Sequence, residues 1–213
     1  MKGLAEKLRL YVIPDPFQGR GRPMAEQARL ALEGGATAIQ LRHKEASSRD
    51  LYDEALEYRK LCDIHGALFI VNDRLDIALS AGADGVHLGA EDLPVAAARR
   101  LAPEGFLIGA TARAPEAAVE AEKDGADYLG VGAAFPTESK KDTRVIGPEG
   151  LRKVVQAVSL PCVAIGGITV EAVPEILRTG ASGVAVIGAL VGASDIPTVA
   201  VTFRQALGIS REG

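Results

Sequence analysis

Three polar side chains in the first quarter of the chain have the spacing of an anion site. The segment QLRHK places Gln40, Arg42 and Lys44 at alternate positions, so a β-strand through them would point all three to one face. Burying two cations without a counter-charge is costly. The pattern therefore predicts a solvated stripe, ion pairs with nearby acids, or a bound anion. We favour a phosphorylated ligand, because arginine offers a planar fork and lysine a point charge.

Two acids follow apolar runs further along the chain. Asp73 lies in VNDRLDIA and Asp92 lies in LGAEDLP. Either could simply cap the helix that follows it. Beside groups suited to phosphate, however, the pair predicts a Mg2+ site, because Mg2+ is usually held by one or two carboxylates together with waters and substrate phosphates. Glu91 is an alternative ligand next to Asp92.

The segment AFPTESKKD gathers hydroxyl groups and lysines directly after a glycine-rich apolar run. Taken by itself, such a segment is typical of a solvated turn. Next to the two sites above, we predict that Lys140 neutralises a departing diphosphate and that Thr137 and Ser139 donate hydrogen bonds to a phosphate. Lys141 is expected to be exposed.

Glycines follow the last two apolar runs, in AIGGITV and AVIGALVGA. Gly167 and Gly188 would let a phosphate approach the backbone N–H groups closely, although they could also serve only to make tight turns. Barrels frequently bind phosphate after their seventh and eighth strands. We therefore predict a second phosphate site here.

The elements that would carry these residues alternate regularly. Four helical patterns end at Gly-Ala two residues before an apolar run, in GGATAIQL, AGADGVHL, DGADYLGV and TGASGVAV, and further apolar runs lie between them. Eight short apolar runs alternating with helical segments predict parallel strands with right-handed crossovers. The expected fold is an α/β fold, a single (β/α)8 TIM barrel over residues 1–213, with an open doubly wound sheet as the alternative.

Composition limits the classes of partner. The chain has 213 residues, 47% of them hydrophobic, and a net charge of -4, which argues against nucleic-acid or anionic-membrane binding. No run approaches the roughly 20 apolar residues of a membrane span, so we expect a cytoplasmic protein that acts on small molecules. A homo-oligomer is compatible with the sequence. Cys62 and Cys162 lack a metal-ligand spacing and are expected to be free buried thiols.

Six motifs, in this order, resemble the thiamine phosphate synthase family: QLRHK, VNDRLDIA, DGVHLGAED, IGATAR, DYLGVGAAFPTESKKD and VAIGGI. The resemblance runs from residue 11 to about residue 190. It implies a transferase that condenses 4-amino-2-methyl-5-hydroxymethylpyrimidine diphosphate with 4-methyl-5-(2-phosphoethyl)thiazole, or its carboxylate. The implied products are thiamine phosphate and pyrophosphate, formed by Mg2+-assisted dissociative displacement.

The resemblance also implies a role for each site residue. The pyrimidine diphosphate would be held by Gln40, Arg42, Lys44, Asn72, Thr111 and Lys140. Mg2+ would be held by Asp73 and Asp92. The thiazole phosphate would be held by Thr137, Ser139, Gly167, Ile187 and Gly188. The residues closest to the chemistry would be Lys140, Arg42, Lys44 and Thr111, with Thr111 near the pyrimidine and the leaving oxygen.

Three positions depart from the family pattern: His43 stands for a usual Glu, Ala90 for a usual Gln, and Gly188 for a usual Ser, so a side-chain donor to the thiazole phosphate is lost. Two alternatives remain beside the synthase. A thiazole tautomerase would need a proton-shuttling His where this chain has Arg113, which stays protonated. A non-catalytic phospholigand-binding barrel would not need the acid pair.

Two further expectations concern positions around the site. Of the three histidines, only His43 is expected near the rim. Residues 19–23, GRGRP, are interpreted as a solvated loop rather than a lid.

Overall fold

Eight parallel strands close into a barrel in the computed structural model, which describes residues 2–137 and 144–209. The strands are β1 (Leu10–Val12), β2 (Ala38–Leu41), β3 (Leu68–Asn72), β4 (Gly85–Leu88), β5 (Leu107–Ala112), β6 (Tyr128–Gly132), β7 (Cys162–Ile165) and β8 (Gly183–Val186). Each strand pairs with the next in parallel, and β8 pairs back onto β1. The predicted (β/α)8 barrel is confirmed, and the open doubly wound alternative is wrong.

At least one helix follows each strand along the chain, and one further helix precedes β1. They are α1 (Lys2–Lys7), α2 (Met24–Glu33), α3 (Ser48–His65), α4 (Leu75–Ser80), α5 (Val95–Leu101), α6 (Pro115–Lys123), α7 (Gly147–Gln156), α8 (Val173–Leu177), α9 (Gly188–Val191) and α10 (Ile196–Ala206), with a 3-10 turn at Val170–Ala172. The first glycine of each Gly-Ala pair has a positive φ, as a chain that leaves a helix and turns towards a strand requires: Gly35, Gly82, Gly125 and Gly180. Within the described ranges, no helix has the length and apolarity needed to cross a membrane.

The core has two layers. The larger layer lies between the strands and the helices, and the smaller one fills the barrel with side chains such as Leu8, Tyr11, Ile70 and Tyr128. Both predicted thiols, Cys62 and Cys162, are free and buried, and burial raises the pKa of each to about 12. They are inert packing residues at neutral pH.

Glycines inside the strands make room for the large polar side chains in the barrel. A Cβ atom at Gly109 would lie 2.2 Å from the Tyr128 ring, and one at Gly130 would lie 2.9 Å from the His87 ring. Because the interior is close-packed, a strand must give up a side chain wherever a neighbour sends a ring inwards. Glycine at these two positions therefore leaves room for the Tyr128 and His87 rings.

Candidate active site

A cavity of about 470 Å3 opens at the carboxyl ends of the strands. This is the end at which barrels of this class carry their active sites. The cavity is lined by the predicted site residues Gln40, Arg42, Lys44, Asn72, Asp73, Asp92, Thr111, Thr137, Gly167, Ile187 and Gly188. These residues come from seven separate strand ends, β2 to β8, which converge as the alternation of elements predicted.

Two predicted site residues, Ser139 and Lys140, lie outside the described residues, as does Lys141. Thr137, at the edge of the same segment, is half-buried and lines the cavity. The roles assigned to Ser139 and Lys140 stay predictions.

The floor of the cavity is a continuous chain of hydrogen bonds. Gln40 Nε2 donates to the Tyr11 hydroxyl at 2.8 Å, and the Tyr11 and Tyr128 hydroxyls lie 3.1 Å apart. The Tyr128 hydroxyl lies 3.2 Å from His87 Nδ1, and His87 Nε2 lies 3.0 Å from Thr111 Oγ1. The chain crosses the barrel from β2 to β5 and connects two residues that the sequence assigned to the site.

The donors and acceptors of this chain are consistent with one direction. One arrangement satisfies every group in the chain: Gln40 donates to the Tyr11 hydroxyl, Tyr11 donates to Tyr128, and Tyr128 donates to His87 Nδ1. The neutral imidazole then carries its proton on Nε2 and donates to Thr111 Oγ1. Thr111 keeps its own hydroxyl hydrogen for an acceptor in the cavity.

The floor is uncharged at neutral pH. Burial lowers the pKa of His87 to about 4, against the smaller opposing effect of the Asp92 charge. Burial also raises the pKa of Tyr11 and of Tyr128 well above the ordinary tyrosine value. A ligand ring over the floor therefore meets neutral hydrogen-bonding groups.

Cations and acids meet at the ends of β2, β3 and β4. Lys44 Nζ lies 3.4 Å from Asp73 Oδ2, yet the Lys44 side chain is 54% exposed and so remains accessible to a ligand. The pKa of Asp73 is raised, mainly by burial and to a smaller extent by the neighbouring Asp92. The positive charge of Lys44 partly offsets this increase. The two carboxylates are thus close enough to repel each other, which a bound cation would relieve.

Neither acid caps a helix, so that alternative was wrong. The N-cap positions of α4 and α5 are Arg74 and Pro94, and neither helix has a side-chain cap. Asp92 Oδ2 instead accepts a hydrogen bond from Gly89 N–H at 2.7 Å, which directs the carboxylate along the cavity wall. Glu91 is exposed and is not among the residues that line the cavity.

Asp73 has a backbone conformation that is uncommon for a residue other than glycine. Its φ is 62°, and its N–H donates to the His87 carbonyl at 2.9 Å. Asp is among the few side chains that tolerate this region, and such strain is concentrated at functional sites. The turn aims the carboxylate back into the cavity instead of along α4.

The acid pair fits Mg2+ better than a metal that requires a full protein cage. Over residues 2–137 and 144–209, no group of three or more His, Cys, Asp or Glu side chains is placed to hold an ion. Two carboxylates beside Arg42 and Lys44 fit the needs of Mg2+, which usually keeps waters and substrate oxygens as its other ligands.

The opposite side of the cavity, at the ends of β6, β7 and β8, is built from backbone and small side chains. Gly167 has a φ of 63°, and a Cβ atom there would lie 2.2 Å from the Pro136 carbonyl oxygen. The tight turn alone therefore requires glycine at this position. The contact between phosphate and this backbone stays a prediction.

Several residues of the site were not identified from the sequence. Tyr11, His87 and Tyr128 form the floor, and Gln18 also lines the cavity. Alternation within the strands could have revealed His87, because Gly85 and His87 in GVHL point to the same face. Tyr11 and Tyr128 lie within apolar runs of the sequence, where an aromatic residue is typical of the hydrophobic core.

The expectation that only His43 lies near the rim was wrong. His43 Nδ1 pairs with Glu54 on α3 at 2.9 Å, outside the set that lines the cavity. His87 on β4 is the histidine that lines the cavity, because side-chain direction along a strand depends on register and not on distance from the strand end.

The closed barrel and the position of the cavity place this protein in the class of (β/α)8 barrel enzymes, whose active sites lie at the carboxyl ends of the strands. The family model described as thiamine monophosphate synthase matches residues 10–190. The chain belongs to this family, which confirms the resemblance seen in the motifs. It is an enzyme, a transferase with the function of a thiamine-phosphate synthase.

Individual relatives agree with this assignment. The chain is 55% identical to the thiamine-phosphate synthase of Coprothermobacter proteolyticus, over 95% of this chain and 96% of the other. It is 52% identical to that of Pyrococcus abyssi, again over 95% and 96%. A solved structure of thiamine phosphate pyrophosphorylase from Pyrococcus furiosus superposes with a TM-score of 0.90 at 49% identity, covering 96% of this chain and 98% of that chain.

Proposed function

We propose that the two sides of the cavity hold two phosphorylated substrates. The pyrimidine diphosphate lies at the ends of β2 to β4 and the thiazole phosphate at the ends of β6 to β8. The observation that carries the proposal is the division of the cavity: cations and acids on one side, glycine-rich backbone on the other, and an uncharged floor between them. Each anion then has its own binding region, and the two rings meet over the floor.

On the charged side, Arg42 and Lys44 bind and orient the diphosphate, with Gln40 and Asn72 alongside. Asp73 and Asp92 would hold Mg2+, whose contribution when bound is to neutralise charge on the departing diphosphate. Lys44 has a second role, because its ion pair with Asp73 limits the repulsion between the two carboxylates before substrate binds.

The reaction breaks the bond between the pyrimidine methylene carbon and the diphosphate oxygen, and the electron pair leaves with the diphosphate. The thiazole nitrogen then donates its lone pair to the methylene carbon and forms the new C–N bond. In the arrangement in which His87 Nε2 donates to Thr111 Oγ1, the Thr111 hydroxyl donates its own hydrogen to the departing oxygen. Stabilising charge that develops in the transition state is the largest contribution this site offers.

The experiment that tests the proposal mixes purified protein with both substrates, with and without Mg2+, and follows pyrophosphate and thiamine phosphate. We expect equal amounts of the two products and activity that is lost with a chelator and restored by Mg2+. Binding of thiazole phosphate without any product would instead favour the tautomerase or the non-catalytic binder.

A further inference from the structure

Gln18 occupies the space where a side chain at position 188 would begin. It lies in the loop between β1 and α2 and lines the cavity together with Gly188. A Cβ atom added at Gly188 would lie 2.1 Å from Gln18 Oε1. Because that is far inside van der Waals contact, a side chain at position 188 would require the flexible Gln18 carboxamide to turn away from its present position.

We propose that Gln18 is a specificity-determining residue that binds the phosphate of the thiazole substrate in place of a side chain at position 188. The inference rests on the proposed function, since it assigns the thiazole phosphate to this end of the cavity. It adds a residue from a different strand end, β1, which no motif of the sequence indicated.

The loop that carries Gln18 is fixed by buried hydrogen bonds. Gln27 on α2 is fully buried, and its amide exchanges two hydrogen bonds of 3.0 Å with the backbone of Asp15. Asp15 Oδ1 in turn accepts from the N–H groups of Phe17 and Gln18, both at 2.9 Å. Holding the Gln18 backbone in this way reduces the conformational entropy lost when its side chain binds a ligand.

The same loop is attached to the chain that follows β8. Arg22 Nη1 donates to the Ala193 carbonyl at 2.9 Å, and Nη2 donates to the Ser194 carbonyl at 2.8 Å. The loop and the segment after α9 are therefore joined on the side of the cavity where Gln18 faces Gly188. Within residues 19–23, Arg22 makes this attachment, while Arg20, Gly21 and Pro23 are exposed, as expected for the predicted solvated loop.

A carboxamide suits a phosphate at this position. It has both a donor and an acceptor, and rotation about its last side-chain bond exchanges the two without a backbone shift. Its N–H group can donate to a phosphate oxygen, and a hydrogen bond to a charged partner changes affinity by roughly 10-fold or more.

The test is a double-mutant cycle between positions 18 and 188, using steady-state kinetics with each substrate varied in turn. Gln18→Ala should raise KM for thiazole phosphate by about 10-fold and leave KM for the pyrimidine diphosphate within about twofold of wild type. Gly188→Ser should also raise KM for thiazole phosphate, because the new side chain displaces the Gln18 carboxamide from the position in which it would bind the phosphate. The double variant should bind better than Gly188→Ser alone, because removing Gln18 makes room for the serine hydroxyl.

Phe17→Ala is the matched control, since Phe17 belongs to the same loop but is 83% exposed. It should behave as wild type. Gln18→Glu provides a second variant of nearly the same shape, and its negative charge should weaken thiazole phosphate binding more than alanine does. Circular dichroism would verify that each variant is folded.

Calorimetric titration of thiazole phosphate separates the two levels of inference. If wild-type protein did not bind thiazole phosphate, the proposed function itself would fail. Normal wild-type binding together with unchanged constants for Gln18→Ala and Gln18→Glu would overturn only the role of Gln18. A double variant no better than Gly188→Ser would likewise show that the two positions do not share one space.

Discussion

The two sides of the cavity, which we propose to hold the two anionic substrates, are built from different groups. At the ends of β2 to β4, the side chains of Arg42 and Lys44 provide positive charge, and Asp73 lies beside Lys44. At the ends of β6 to β8, Gly167 and Gly188 bring backbone close, and their neighbours Pro136 and Gln18 belong to other strand connections. Residue types reveal the first kind of site, whereas only the three-dimensional neighbours reveal the second.

The largest expected effect tests whether Lys140 acts with the charged side. Lys140→Ala should lower turnover by roughly 100- to 1000-fold, because it removes a charge that stabilises the departing diphosphate. Lys141→Ala is the matched control and should stay near wild type. Equal turnover of Lys140→Ala and wild type in a pyrophosphate-release assay would remove Lys140 from the chemistry.

The second prediction concerns the floor between the two sides. Thr111→Val should lower kcat by about 100-fold, because the donor to the leaving oxygen is lost. Thr111→Ser keeps the hydroxyl and should retain most of the activity. If the valine variant changed KM for either substrate and not kcat, Thr111 would be a binding residue only.

The third prediction is a pH dependence of stability from His87. Its pKa in the folded protein, about 4, is below the ordinary value near 6.5. Between these values the unfolded chain binds the proton and the folded protein does not, so stability falls as pH falls. From pH 6.5 to pH 4.5 this single group should cost about 2 kcal/mol.

Urea unfolding of wild type and His87→Gln at both pH values measures that difference. The variant should lose less stability than wild type over the interval. Parallel losses in the two proteins would show that His87 is not held neutral in the floor.

The smallest expected effect comes from a substitution that should affect the charged side of the cavity and leave the glycine-rich side unchanged. Asp92→Asn should raise the Mg2+ concentration needed for half-maximal activity by about 10-fold, while KM for thiazole phosphate stays unchanged. Glu91→Gln, next to it but outside the cavity, is the control. A lower melting temperature with an intact Mg2+ response would assign Asp92 a structural role.

Several site residues could be predicted because their position requires only a strand end. Gln40, Arg42, Thr111 and Gly167 each follow or end an apolar run, and barrel closure brings all such ends to one rim. His43 does not line the cavity, although it also follows a strand end. It is as close to a strand end as its neighbours, yet its side chain turns outwards to Glu54.

The amino-acid sequence by itself determined the barrel and the set of charges at its rim, because periodic apolar runs and glycine helix ends are local properties of the chain. Tertiary structure alone decided that Tyr11, Tyr128 and His87 join into one floor and that Gln18 covers Gly188. Those contacts join residues more than 40 positions apart in several cases. Their geometry depends on strand register and on side-chain volume within a closed, close-packed barrel, which no local pattern records.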